Sequence, residues 1–377
     1  MASIFKTSKG LWAYRIHKII NGKEVSKYKT GFKSKNEAKN SAVMMENSIL
    51  KGAQVNNNIS FANYYYRWFC DTKKGQYTVK SENAYLNVYH RIVNYFGSKP
   101  LNKITHREYQ AFINEYSKDH AKETVRKLNS FCHAMVMEAI NEKIIYTDFV
   151  YGTKNNGNDG KRDSLKYLNE QDFINLKQVA LKQASFKHIS DYMILVACYT
   201  GLRYEEVCGL TWQAIDFKNK ILSVERAYDY AISKQFIKLK AASSNRKIAI
   251  PDELITILKK LRREQSEYYL QHNYRDDMNL LFRSIYNHLA VPTNAAANKE
   301  LRKLQDEIHI PKANQITFHG LRHTHASYLI SHNIPISYVS KRLGHKDISI
   351  TLKVYTHLLN EVEQRNAQQA MLLLNEL

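Results

Sequence analysis

The chain has 377 residues, long enough for two or three domains, and its 44% hydrophobic content is ordinary for a folded protein. Lysine and arginine outnumber the acids by 56 to 35, giving a formal charge of +21 spread along the whole length. That excess points to a polyanion, to nucleic acid before a membrane surface. No apolar run approaches the roughly 20 residues that span a bilayer, no apolar signal core follows Met1, and Cys70, Cys132, Cys198 and Cys208 form no CxxC pair. A membrane span, a disulfide framework and a zinc site are therefore not expected, and a cytoplasmic location is.

In chain order, the first 55 residues predict a three-stranded sheet followed by a helix. Trp12, Tyr14 and Ile16 alternate with Ala13, Arg15 and His17, the period of a half-buried strand. Asn21-Gly22 is a hairpin signal, and a second strand follows to about Thr30. Ser34-Lys35-Asn36-Glu37 reads as a capping box that opens a helix ending near Lys51. Arg15, Lys27 and Lys29 are candidate DNA contacts on the strands.

After a linker at 52–58 the pattern turns helical, with Tyr64, Tyr65, Trp68 and Phe69 as a core stripe. Helices are expected to begin near Thr78 and Thr105, the latter with Glu108 as a capping box, and another to cover Lys122 to Asn141. Lys80, Lys122 and Lys127 are the candidate backbone contacts of this segment. A polar, glycine-bearing stretch at 152–163 breaks the chain. Beyond it lies a larger, mostly helical domain with a small antiparallel sheet, its strands near 221–228, 235–239 and 247–250. The fold class is thus mainly α and multidomain, with boundaries at 1–55, 59–151 and 164–377.

Four islands in the last domain carry chemistry. Thr200-Gly201-Leu202-Arg203-Tyr204-Glu205-Glu206 embeds an arginine in an apolar run, which demands an anionic partner, and Glu206 lies three residues on. Lys238-Leu239-Lys240 precedes a turn and a strand. In Phe318-His319-Gly320-Leu321-Arg322-His323-Thr324-His325, His319 and Arg322 share a helical face. His325 points away from His319 and His323, so the three histidines do not read as a metal set. Leu343-Gly344-His345 is followed by Asp347, suited to cap a short helix, and ten residues after the histidine by Tyr355.

Together, TGLRYEEVCGL, HGLRHTHAS and LGHKDISITLKVYTH, in that order across about 165–360, resemble the tyrosine recombinases, also called phage-type integrases. The two N-terminal segments resemble the arm-type-site and core-binding domains of integrases from phages and conjugative transposons. The sequence departs from the usual wording at Gly320, commonly acidic, and at His325, commonly an apolar aromatic.

The resemblance implies Arg203, Lys240, His319, Arg322, His345 and the nucleophile Tyr355 as the catalytic set. Lys240 is placed by counting back from the strand at Arg246, with Lys238 the alternative. It implies a 3′-phosphotyrosine intermediate, His319 accepting the Tyr355 proton, Lys240 protonating the leaving oxygen, and Glu206 orienting Arg203 or His319. Arginines stand where Mg²⁺ would otherwise work, so no cofactor is expected. Double-stranded DNA, three further copies of the chain, and an excisionase or DNA-bending host protein are the implied partners. A type IB topoisomerase shares the chemistry, but the arm-like module and Gly344-His345 argue against it. Leu372, Leu373 and Leu374 are candidates to dock on a neighbouring copy.

Overall fold

The computed structural model describes residues 2–8, 10–20, 23–50, 58–159, 167–239, 242–349, 351–352, 355 and 371. The chain divides into two compact units, Met1–Gly160 and Lys161–Leu377.

The first unit begins with β1 (Ser3–Lys6), β2 (Trp12–Ile20) and β3 (Lys23–Phe32), an antiparallel sheet in that order, followed by α1 (Lys35–Leu50). Ile20 pairs with Lys23, and the turn residues Asn21 and Gly22 lie outside the described residues. Tyr14 and Ile16 are buried with Ala42 of α1. The expected capping box is displaced by one residue. Ser34 Oγ accepts from Glu37 N at 3.2 Å, but the Glu37 carboxylate accepts from Lys33 N at 3.0 Å.

Four helices follow: α2 (Phe61–Thr72), α3 (Val79–Phe96), α4 (His106–Ser117) and α5 (Lys122–Asn141). Ser60 and Thr78 cap α2 and α3, and Thr105 with Glu108 forms a complete capping box on α4. Tyr64, Tyr65, Trp68 and Phe69 are all buried in the shared core, as the stripe predicts. Part of the polar stretch 152–163 is tied to this body rather than loose. Lys154 N donates to Gln110 Oε1 at 2.8 Å, and Asn158 exchanges backbone hydrogen bonds with His120 and Lys122. Gly157 makes that possible, because a Cβ there would stand 2.8 Å from the Lys122 backbone.

The second unit is built around α7 (Ile189–Thr200), whose residues are buried on nearly every side, as expected of a helix apolar all round. Packed on it are α6 (Glu170–Gln183), α8 (Tyr204–Cys208), α9 (Asp252–Gln271), α10 (Asn294–Glu307) and α11 (Phe318–Ser331), and α12 (Ile336–Leu343) packs on α11. The expected single sheet is two. β4 (Ile215–Asp216), β5 (Ile221–Val224) and β8 (Arg246–Ala249) form one, and β6 (Ala227–Tyr228) with β7 (Phe236–Ile237) the other. The run at 221–228 is cut at Glu225-Arg226, two exposed charged residues that leave the first sheet's ladder. Among the described residues no helix is long and apolar enough to cross a membrane. Leu372, Leu373 and Leu374 lie outside the described residues.

Candidate active site

The islands converge because two helices end in left-handed glycines. Gly201 (φ +67°) stops α7 and turns the chain so that Arg203 stands at the start of α8. Gly344 (φ +70°) stops α12 and presents His345. α11 supplies His319, Arg322 and His323 at spacings of three and four, one face of a helix. Arg203, Glu206, Lys238, His319, Arg322, His323, His345 and Tyr355 all line one cavity of about 400 Å³. Lys240 lies outside the described residues.

Arg322, Arg203 and Glu206 are each held from behind. Arg322 is buried, and its guanidinium donates to the carbonyls of Gly201 and Leu343, both at 2.8 Å. Burial and Arg203 pull its pKa down to about 9. Arg203 Nη1 donates to Glu206 Oε1 at 2.8 Å, and Arg203 N to Glu206 Oε2 at 3.1 Å. Arg246 Nη2 donates to Glu206 Oε2 at 2.9 Å from the other side. Burial alone would raise the Glu206 carboxyl, but Arg246 and Arg203 outweigh it and hold it below the usual range. Glu206 thus joins Arg203 to Arg246, and among the described residues its hydrogen bonds go to these two arginines rather than to His319.

Tyr355 is 2% exposed and packs with Ala326, Ile330, Val339 and Leu343. Burial pushes its phenol well above the ordinary value, against the pull of Arg322. The ring within hydrogen-bond range of its oxygen is not the expected one. His323 Nδ1 lies 2.9 Å from Tyr355 Oη, while His319 stacks edge-on against His323 with centroids 5.0 Å apart. His319 faces the cavity, lowered by burial and by Arg322 and Arg203. His345 bonds Thr351 Oγ1 through Nδ1 at 2.6 Å, and burial with the nearby arginines lowers it to about 4, so it is neutral at pH 7. His325 is buried away from the cavity against Cys198 O and Arg342, as its helical position predicts. Asp347 accepts from Ser349 N at 2.8 Å.

Three residues that build this arrangement, Arg246, His323 and Arg342, carry no catalytic reading in the sequence. Arg246 serves there as a ruler for Lys240, and His323 as a rejected metal ligand. Arg342 bonds Ala249 O, Tyr199 O and His325 Nε2, tying α12 to β8 and α7. Apart from Ser244, their hydrogen-bond partners lie 17 or more residues away, so spacing carries no signal for them.

The candidate DNA contacts of the first unit divide. Directly opposed residues of antiparallel strands share a face. Arg15 opposes Tyr28, with its guanidinium 5.8 Å from that exposed ring, on the face away from α1. Lys27 and Lys29 oppose Ile16 and Tyr14, the face that α1 covers, so the three do not form one basic surface. Lys80, Lys122 and Lys127 are exposed on α3 and α5, and Lys127 borders a hollow that also holds Arg91, His90 and His120.

The phage integrase family pattern matches residues 166–361, more than half of the chain. The chain belongs to the phage integrase family. This integrase also matches the family's N-terminal SAM-like domain over 60–117 and an arm DNA-binding domain over 3–49. It is 27% identical to a XerC-like tyrosine recombinase of Caldanaerobacter subterraneus subsp. tengcongensis, over 93% of this chain and 92% of that one. It is 26% identical to the integrase of Staphylococcus phage L54a, over 71% and 80%. In fold it is similar to the Tn1549 transposon integrase in complex with a circular intermediate DNA (TM-score 0.66, 17% identity, 82% of this chain and 99% of that one). It is similar likewise to a lambda integrase tetramer bound to a Holliday junction (TM-score 0.57, 18% identity, 91% and 95%). The integrase is a site-specific DNA recombinase.

Proposed function

We propose that this integrase breaks and rejoins DNA through a covalent 3′-phosphotyrosine at Tyr355, to move a mobile element such as a prophage or conjugative transposon into and out of a host chromosome. The observation that carries the mechanism is that Arg203 and Arg322, two fixed guanidinium groups, line the same cavity as Tyr355. A phosphodiester resists nucleophiles because it is anionic, and guanidinium forks remove that barrier by binding its oxygens. His319 and neutral His345 add N–H donors to the same phosphate. The Tyr355 oxygen attacks phosphorus, the bond to the 5′ oxygen breaks, and the leaving oxygen takes a proton from Lys240, or from Lys238, which lines the cavity. His323, in contact with Tyr355 Oη, takes the phenol's proton, the role the resemblance assigns to His319. The reaction conserves the energy of the broken bond, so a 5′ hydroxyl of a second strand reverses it without ATP.

Segments 1–55, 59–151 and 164–377 serve as arm-type-site, core-type-site and catalytic domains. Arg15 beside Tyr28 is suited to the arm site, and Lys80, Lys122 and Lys127 to the core-site backbone; Lys27 and Lys29 reach DNA only past the sheet edge. Four copies assemble on two duplexes in the bacterial cytoplasm, with an excisionase or host bending protein setting direction. The test is incubation with a nicked duplex carrying the element's own attachment core, followed by a denaturing gel. A protein–DNA adduct is expected from the wild type and none from Tyr355→Phe. An adduct that persists in the Phe variant overturns the assignment.

A further inference from the structure

Outside the cavity, the described residues contain one group of three metal-ligating side chains, at the other end of α7. His188 precedes the helix, Asp191 lies in its first turn, and Glu300 comes from α10, and one ligand atom of each lies within 4.8 Å of the others. Carboxylates gathered on a surface prove nothing. Asp191 differs, because it is fully buried and neither of its oxygens has a hydrogen-bond partner. A buried, unsatisfied carboxylate is among the costlier features a core can carry. Burial pushes its pKa up to about 7, with Glu300 adding to the rise and Lys303 opposing it. Lys303 does not complete the site, for its ammonium is 2.9 Å from Glu300 Oε1 and leaves the Asp191 oxygens unpaired.

We propose that His188, Asp191 and Glu300 bind a divalent transition-metal ion, zinc by preference, that staples the first turn of α7 to α10. One imidazole with two carboxylates suits Zn²⁺ or Mn²⁺ better than Mg²⁺ or Ca²⁺, which favour all-oxygen shells. Around tetrahedral zinc, ligand atoms stand about 3.3 Å apart, a closure that side-chain rotation supplies. His188 is exposed, giving the ion an entry path and a fourth position for water. The site is structural. It fixes the helix whose far end carries Gly201, the residue that holds Arg322 in place.

The test uses the full chain, stripped with EDTA and desalted, then titrated with ZnCl₂ by calorimetry and melted with and without it. One zinc per chain is expected, with a melting temperature raised by about 5–10 °C at a hundredfold excess over Kd. His188→Ala, a change at an exposed position that leaves the core intact, and Asp191→Asn each weaken binding by about tenfold or more. MgCl₂ and CaCl₂ bind more weakly than ZnCl₂. The proposal is overturned if no saturable zinc binding occurs, or if Mg²⁺ or Ca²⁺ binds as well. It is equally overturned if zinc binds both variants as it binds the wild type, which assigns the ion to the histidines of the cavity.

Discussion

Arg246 spends every nitrogen of its guanidinium on the protein: Nε on Arg342 O at 2.6 Å, Nη1 on Ser244 O at 2.7 Å and Nη2 on Glu206 at 2.9 Å. Removing it leaves Glu206 buried with Arg203 as its remaining cation. Breaking one side of a buried pair costs about 3–5 kcal/mol, so Arg246→Ala is expected to lower the denaturation midpoint and the yield of covalent adduct together. A lysine there restores charge without the fork and recovers only part of both. His323→Ala is expected to slow adduct formation by about a hundredfold or more in single-turnover assays, the usual weight of a general base. An unchanged rate would return that role to His319. Arg203, His319, Arg322, His345 and Tyr355 were legible because their spacings are a recurring pattern, and all five reach one cavity. Arg246 and His323 were not, because hydrogen bonds across 40 and 32 residues leave no local trace.

Helix ends fix the site more than helix bodies do. A Cβ on Gly201 would lie 2.7 Å from Leu343 Cδ2 and 2.8 Å from His325 Cδ2, and one on Gly344 2.8 Å from Arg246 Nη1. Both glycines also hold positive φ, so Gly201→Ala and Gly344→Ala combine backbone strain with a clash. Each is expected to cost about 1–3 kcal/mol in chemical denaturation. Gly152→Ala, at a similar φ of +75° but with nothing within 4 Å, is the control and loses less. Helices were read well from caps and periodicity: Thr78, Thr105 and the start of α5 all fall where expected. Strands were read less well. The sheets of the second unit are built from runs of two to four residues, too short for alternation to register, and their separation depends on where Glu225 and Arg226 point.

At the scale of the molecule, charge and pH set the expected behaviour. With 21 more positive than negative side chains, binding to a core-site duplex should weaken linearly in log–log against salt. A slope near zero in filter binding would mean that few phosphates are touched. Burial holds His325 at about 3 and His345 at about 4, against an ordinary 6.5. Both are neutral in the folded chain, and the unfolded chain takes up protons first. Their contribution is complete above about pH 6.5 and is lost as pH falls toward 4, at about 1.4 kcal/mol per pH unit for a buried histidine such as His325. Asp191, raised to about 7, acts in the opposite sense but is one group against two. The denaturation midpoint is therefore expected to be lower at pH 5 than at pH 7.5. The burial of Tyr355 has a consequence for the host. A phenol that is 2% exposed and held protonated attacks no passing phosphate. With Tyr355 as the proposed nucleophile, a chain sliding along DNA is expected to leave no random nicks, because the packing that stores the phenol also shields it.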